Sequence, residues 1–551
     1  MREWWKSGAP WIWLNGGAVT ISMIMVFGLL LLILVRGFGT FWPHPVLETT
    51  YMAPGADGPE QVVGLLRRSE TLTGQAMRDA GVDIPADQLL VTRHLVKAGN
   101  RDLTGRDFAY YIDDFMAEWD YPEDMTVLER REWGDFLGRP LRLLEGDATV
   151  AAGETLWPEF QQRLRRSNDL FDEIRSIERG AIGNVNFRIE RVRLDRRRAE
   201  LRGELTPEVA AQLDQRRADL QAEYAVLETR LNQLYDEAAR DSIVMWAAGD
   251  REVTIRLADI VKAWQPNNMS IPAKVAFYVR DFFDFIFGYP REANTEGGIF
   301  PAIFGTVVMV LVMSIIVTPF GVLAAIYLRE YAKQGVLLKT IRISVYNLAG
   351  VPSIVFGVFG LGFFIYFLGG AVDRTFYPEA LPAPTFGTPG LFWASLTLAL
   401  LTLPVVIVST EEGLARIPST IREGSLALGA TQGETLWKVV VPLATPAMMT
   451  GLILAIARAA GEVAPLMLVG VVKLAPTLPI DGNFPFIHLE RKIMHLGFHI
   501  YDVGFQSPHA EAAEQLVYAT ALILVLLIVV LNLSAITIRN HLREKYRAES
   551  D

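Results

Sequence analysis

Hydrophobic positions in this chain gather into long, nearly uncharged runs separated by polar stretches. The runs stand at about 18–35, 299–328, 343–370, 391–409, 446–472 and 516–537. Each is long enough to cross a bilayer core of roughly 30 Å as a helix. The pattern predicts six membrane helices and puts both termini on one side. A polar block, 37 to about 295, separates the first run from the others. In its later part, about 161–240, Leu213, Leu220, Tyr224, Leu227, Leu231 and Leu234 recur at three-four spacing, the seam of a coiled coil. Gly203 reads as the end of one helix, and Thr206 and Pro207 as the N-cap and N1 of the next. A helical hairpin is expected there. Val253, Ile255 and Leu257 then alternate with Thr254 and Arg256, as in a half-buried strand. The stretch before about 160 mixes short apolar runs with Gly, Asp and Pro and has no readable fold. The expected class is an all-α polytopic membrane core that carries a mixed α/β insertion.

Composition agrees with a chain of two characters. Mean hydropathy is positive at +0.25, yet 21% of the 551 residues are charged. A single soluble domain does not combine these; membrane spans plus a polar domain do. Lys and Arg near the span ends set orientation. Arg2 and Lys6, Arg329, Lys333, Lys339 and Arg342, Arg416, Arg422 and Lys438, and Arg539, Arg543, Lys545 and Arg547 share one face. The opposite loop, 371–390, has only Arg374, while loop 473–515 is a weaker vote with Lys473, Arg491 and Lys492. Termini in the cytoplasm and block 37–295 outside are therefore expected. The run from Val19 to Val35 is followed by Arg36-Gly-Phe-Gly-Thr-Phe-Trp-Pro, with no small-x-small cleavage pattern, so it reads as an uncleaved anchor. Trp4, Trp5, Trp11 and Trp13 before it, and Phe41 and Trp42 after it, suit the two interfaces. The chain has no Cys, which excludes disulfides and thiolate metal sites. A net charge of −10 argues against nucleic acid as a partner.

Polar residues inside the apolar runs carry the candidate chemistry. Arg458 is expected near the middle of span five, where an Arg costs roughly 2.5–3.5 kcal/mol. Glu462 lies four residues on, within pairing distance on one helix face. A forked guanidinium suits a tetrahedral oxyanion. A nearby carboxylate limits the charge so that release stays possible. It can also accept a hydrogen bond from a protonated phosphate oxygen, which deprotonated sulfate cannot supply. The competing reading is an ion pair that only fixes helix packing. Pro352, in Ala349-Gly-Val-Pro-Ser-Ile-Val-Phe-Gly357, is expected to bend the start of span three, and Pro465 to break the chain after Glu462. Such breaks line a cavity or a moving joint, or are ordinary kinks. His495 and His499 stand at i, i+4 in a loop with His488. Without a carboxylate pattern nearby they read as polar surface residues, not metal ligands. The Arg run at 191–198 is interleaved with Glu and Asp and reads as a solvated helix face. There is no G-x-x-x-x-G-K-[ST] loop, so ATP hydrolysis by this chain is not expected.

One loop joins these observations. It reads Glu423-Gly-Ser-Leu-Ala-Leu-Gly-Ala-Thr-Gln-Gly-Glu-Thr-Leu-Trp-Lys-Val-Val-Val-Pro442. It resembles the EAA loop of ABC importer permeases, in which Glu-Ala-Ala, three residues, Gly, nine residues and an aliphatic-x-Leu-Pro ending form a short cytoplasmic helix pair. Here Gly424 and Ser425 replace the two Ala, and Val441 replaces Leu before Pro442. With Ala349–Gly357 and Ala457-Arg-Ala-Ala-Gly-Glu-Val-Ala-Pro465, the chain resembles phosphate ABC transporter permeases of the PstA type over roughly 296–540 plus the first span. The resemblance implies a type I (MetI-like) ABC importer core in the cell inner membrane. It implies no cofactor on this chain, with ATP used by a partner. The implied partners are a homologous second permease, a cytoplasmic ATPase dimer, a periplasmic phosphate-binding protein and membrane lipid. Glu423, Gly424, Ser425, Gly429 and Pro442 would form the loop that docks the ATPase, and phosphate would pass Arg458 and Glu462. The expected division is 1–36, an extracytoplasmic insertion 37–295, a permease domain 296–540 with its loop at 411–445, and a tail 541–551. The insertion departs from the usual family member and has no readable role. Two rivals stand: a permease-like membrane sensor, and an importer of sulfate, molybdate or phosphonate.

Overall fold

The computed structural model describes residues 6–53, 58–294, 296–333, 335–506 and 510–548. Arg2, Trp4 and Trp5 lie outside the described residues, as do the side chains of Arg543, Lys545 and Arg547. The chain forms two units. One holds the chain up to Thr40, Ile286–Pro290 and the chain from Ile299 on; the other holds Phe41–Phe285 and Arg291–Gly298. The first unit begins with helix α1 (Ala9–Gly39), which has Pro10 in its first turn. None of its most apolar window is buried.

Among its described residues the second unit contains a four-stranded and a six-stranded antiparallel sheet. Strands β1 (Val46–Tyr51), β2 (Glu60–Thr73), β3 (Leu90–Lys97) and β4 (Phe108–Ile112) pair in sequence order. The larger sheet comprises β5 (Thr126–Arg130), β6 (Asp135–Glu145), β7 (Ala148–Ala152), β8 (Asp241–Ala247), β9 (Arg251–Arg256) and β10 (Ile260–Trp264). Its order is β10-β5-β6-β8-β9, with β7 also beside β6. Its central strands are apolar on both faces because both are covered. Leu128, Phe136 and Leu143 pack with Leu156, Phe160 and Leu164 of a helix, and Val127 and Leu137 pack with Val46, Val63 and Leu65 of the first sheet. That helix, α2 (Leu156–Ser176), continues through a π turn at Ile177–Ile182 into α3 (Gly183–Arg202). Gly203, at φ 69°, ends it. Thr206 then caps α4 (Pro207–Ala238) by accepting from the Val209 N–H. Leu213 and Leu220 of α4 meet Val185 and Val192 of α3, and Leu234 meets Ile174 of α2. Arg193, Arg197 and Arg198 pair within the helix, and Arg196 pairs across it to Asp214 at 2.5 Å, all on the exposed side. A last helix, α5 (Ile271–Phe287), closes this part of the chain.

The rest of the first unit is helical. Helix α6 (Phe300–Ile326) ends in a π turn, Tyr327–Tyr331, and α7 (Val336–Leu348) follows. Helix α8 (Ser353–Phe359) runs on as a π-helical stretch, Gly360–Gly369. Helix α9 (Leu391–Ala415) is the most enclosed span, with Leu391, Leu398 and Val406 in the main core beside Met309 and Met313 of α6. Then come α10 (Ser419–Ala427), α11 (Gln432–Thr435), a π turn at Leu436–Val440, α12 (Val441–Gly461), α13 (Leu466–Val469), α14 (Leu496–Gln506) and α15 (Ala510–Ala548). Among the described residues six helical stretches are long and apolar enough to span a membrane: Pro10–Gly39, Phe300–Tyr331, Ser353–Phe376, Leu391–Ala415, Gln432–Gly461 and Glu514–His541.

Two spans differ from their expected limits. The run 343–370 is two elements, because the chain leaves the helix at Ala349 and restarts at Ser353. Pro352 therefore caps a new helix and does not bend a continuous one. The ring of Pro352 disfavours helical geometry at Val351 and presets the next helical start. The run 446–472 is likewise broken, since α12 ends at Gly461 and Glu462 is extended (φ −76°, ψ 133°). Pro465 has no N–H to continue that ladder. Arg458 consequently sits in the last turn of α12, about 26 Å along the axis from Val441, and not at mid-helix.

Candidate functional site

The two chain breaks are packed together. A methyl group on Gly357 of α8 would stand 2.7 Å from the Pro465 Cα and 2.9 Å from its carbonyl oxygen. Only glycine lets the backbones approach so closely. One turn on, Gly360 lies over Thr397 and Val469 in the same way. The break at Glu462–Pro465 is thus held against the start of span three. Arg458 Nε lies 3.5 Å from Glu462 Oε1, with side-chain exposures of 33% and 20%. That distance is too long for a strong hydrogen bond. The last carbonyls of α12 lack helical partners and form its negative end, which favours a cation in the final turn. Interrupted membrane helices of this kind are placed where a cavity or substrate must meet polar groups.

The loop between spans four and five is a second site. Helix α10 ends in a Schellman motif: Gly429 N–H donates to Leu426 and Ala430 N–H to Ser425. Gly429 is at the turn, at φ 89°. Thr431 then caps α11: its hydroxyl accepts from the Glu434 N–H, and its own N–H donates to the Glu434 carboxylate at 3.0 Å, a capping box. Ser425 and Thr435 hydroxyls, 2.9 Å apart, pin the two helices together. Pro442 cannot donate to the Lys438 carbonyl, and the π turn just before it absorbs the mismatch. Glu423 and Gly424 face outward, and Leu428 is 90% exposed beside them. An exposed apolar side chain beside a carboxylate at this turn is not a core feature.

Residues that the sequence offered only as charges, or not at all, hold this loop. The Arg422 guanidinium donates to Glu330 Oε1 at 2.9 Å, to the Leu414 carbonyl at 2.9 Å and to the Ile417 carbonyl at 2.9 Å. One side chain therefore joins the end of span two, the end of α9 and helix α10. Arg342 of α7 and Glu411 of α9 add a second tie at 2.5 Å. The available signal was the position of Arg422, immediately before Glu423.

The histidines are not surface residues. His488, His495 and His499 are all buried. Their segment folds back on the bundle, where the Arg491 and Leu489 carbonyls accept from the first N–H groups of α9, and Thr306 of α6 accepts from Leu496. His488 lies between Glu490 and Asp481, at 3.1 and 3.0 Å. His495 Nδ1 accepts from the Gly497 N–H at the start of α14. Burial pushes His495 and His499 down to about 4. No group of three or more His, Asp or Glu able to hold a metal ion stands among the described residues.

The sequence profile of binding-protein-dependent transport system inner membrane components matches residues 317–548. The phosphate transport system permease PstA of Mycobacterium leprae is 36% identical over 225 residues, covering 40% of this chain and 68% of that one. The chain belongs to the PstA permease family. PstA 1 of Mycobacterium tuberculosis shares 34% identity over 44% of this permease and 71% of its own length, and PstA of Yersinia pestis 32% over 45% and 74%. Among solved structures, the MetNI methionine ABC transporter matches 50% of this permease and 99% of its own chain at 18% identity. The TM-score of 0.32 is too low to weigh here. The permease is a multi-pass inner-membrane protein and a transporter component. The profile match lies wholly in the first unit, and each of these relatives matches less than half of this chain.

Proposed function

We propose that this permease carries inorganic phosphate into the cytoplasm, driven by ATP that separate ATPase chains hydrolyse. The observation that carries this reading is the Arg458–Glu462 pair at the broken end of α12, braced by Gly357 against Pro465. A loosely paired guanidinium offers forked donors to a tetrahedral oxyanion, and Glu462 can accept from a protonated phosphate oxygen. The PstA relatives are named for the same substrate. The loop Glu423, Gly424, Ser425, Gly429 and Pro442 serves as the ATPase contact, with Leu428 as its apolar knob. Both termini and this loop then face the cytoplasm. The second unit, 37–295, faces the periplasm, where a phosphate-binding protein delivers substrate. A homologous second permease completes the pathway.

Uptake of labelled phosphate into vesicles containing the partner subunits tests the reading. Excess unlabelled phosphate is expected to compete, and sulfate and molybdate to fail. Arg458→Gln is expected to abolish uptake while the protein still inserts and assembles. Full uptake by that variant would reduce Arg458 to a packing residue, and competition by sulfate would change the substrate.

A further inference from the structure

Helix α5 turns Ile271, Val275, Val279 and Phe283 outward, at 73%, 47%, 46% and 52% exposure. The spacing of four keeps them in one stripe, and Pro272, Ala273 and Ala276 are exposed beside them. The other side of the helix is committed inward. Phe41 packs on Tyr278, Phe282 and Phe285, with centroids 5.2–6.3 Å away, and Trp264 packs on Phe277 at 4.9 Å. Both acids of the helix are held by Lys262, Asp281 at 2.6 Å and Asp284 at 3.0 Å. Arg280 points outward, its side chain 80% exposed and 3.9 Å from Asp284. Water is a poor solvent for such a face, and soluble proteins seldom leave a continuous apolar patch of this extent bare.

Chain connectivity says what covers it. Phe41 follows Gly39, the last residue of α1, by two residues, and two residues of chain reach at most about 7 Å. The 31 residues of α1 rise about 46 Å, the full thickness of a bilayer with its headgroups. Phe41, which packs on α5, is therefore joined to the end of a membrane helix by no more than that length of chain. We propose that the stripe Ile271, Val275, Val279 and Phe283 lies in the boundary between lipid headgroups and acyl chains, with Arg280 reaching to lipid phosphate. Helices that lie in this plane share its character: an apolar face sunk about 5–10 Å, and basic side chains at the headgroups. The inference needs only a membrane protein and does not depend on the transported substrate.

The absence of Cys permits a direct test in the full-length permease, in nanodiscs of phosphatidylethanolamine and phosphatidylglycerol. Val279→Cys carries an environment-sensitive fluorophore. Val226→Cys, at a valine 70% exposed on the hairpin, carries the same label as a control. Brominated acyl chains are expected to quench most of the emission at position 279 and none at 226, while aqueous iodide does the reverse. Iodide quenching at 279 equal to that at 226 would overturn the proposal. Protection at 279 from both quenchers would also overturn it, since protein and not lipid would then cover the stripe. If the Val279 variant fails to insert, Ala276→Cys reads the same face.

Discussion

Gly429 and Gly424 occupy the same loop, but they need glycine to different degrees. At Gly429 a Cβ would meet nothing within 4 Å, yet φ is 89°. The backbone, not space, requires glycine there. Gly429→Val forces a β-branched residue into left-handed geometry at about 1–2 kcal/mol. It is expected to leave ATP hydrolysis running while phosphate uptake falls, measured together in proteoliposomes with the partner subunits. Gly424 is helical and equally open, so Gly424→Ala is expected to keep full uptake and firm the helix by about 0.5–1 kcal/mol. Glu296 gives a residue-scale pH effect. Burial raises its pKa from 4.5 to about 8, helped by the Asp135, Glu129 and Glu292 carboxylates and opposed by Lys97. An acid held above its unfolded pKa stabilises the fold below that unfolded value and loses the benefit as pH climbs through the folded one. The insertion is expected to lose thermal stability between pH 4.5 and about 8, followed by circular dichroism, and Glu296→Gln to flatten that loss. An equal slope in both proteins would contradict the assignment.

Among elements, the informative joint is the one Arg422 makes. It ties helix α10 to the ends of spans two and four by hydrogen bonds and not by chain connection alone. Glu330→Gln leaves Arg422 on its two carbonyls but removes the charge that reaches span two. Uptake per ATP is expected to fall about tenfold, the worth of roughly one charge-assisted hydrogen bond; an unchanged ratio would make the contact incidental. This joint was illegible beforehand because Glu330 is remote in sequence from Arg422, and a charge count sees only its sign. The spans were legible because apolar length alone defines them. The breaks at Pro352 and Pro465 blurred two boundaries, since hydropathy runs on across a backbone that stops being helical. The site residues Arg458 and Glu462 were visible as charges in an apolar run, but the extended conformation of Glu462 and the seat of Pro465 on Gly357 were not. The sheets of the insertion were hidden for another reason. Strands β6 and β8 pair across the whole hairpin, so no local pattern announces them.

At the scale of the molecule, the division into two units allows one to be removed. Arg458, Glu462 and the loop 423–442, to which transport and coupling are proposed, all lie in the first unit. Excising about 45–290 and rejoining the ends is expected to leave an inserted six-span protein with some ATP-dependent phosphate uptake. An inserted deletion protein with none, at any concentration of binding protein, would make the insertion part of the pathway. The first helix has its own consequence. From Trp11 to Val35 nearly every large side chain faces outward, so within this chain those positions are asked only for apolar bulk. In a saturation scan, exchanges among Leu, Ile, Val and Met there will pass unnoticed. Tolerance ends abruptly at Gly37, where the first added carbon would stand 2.9 Å from the Leu522 side chain and the Tyr518 carbonyl. The anchor is generic along its shaft and carries a specific address in one turn.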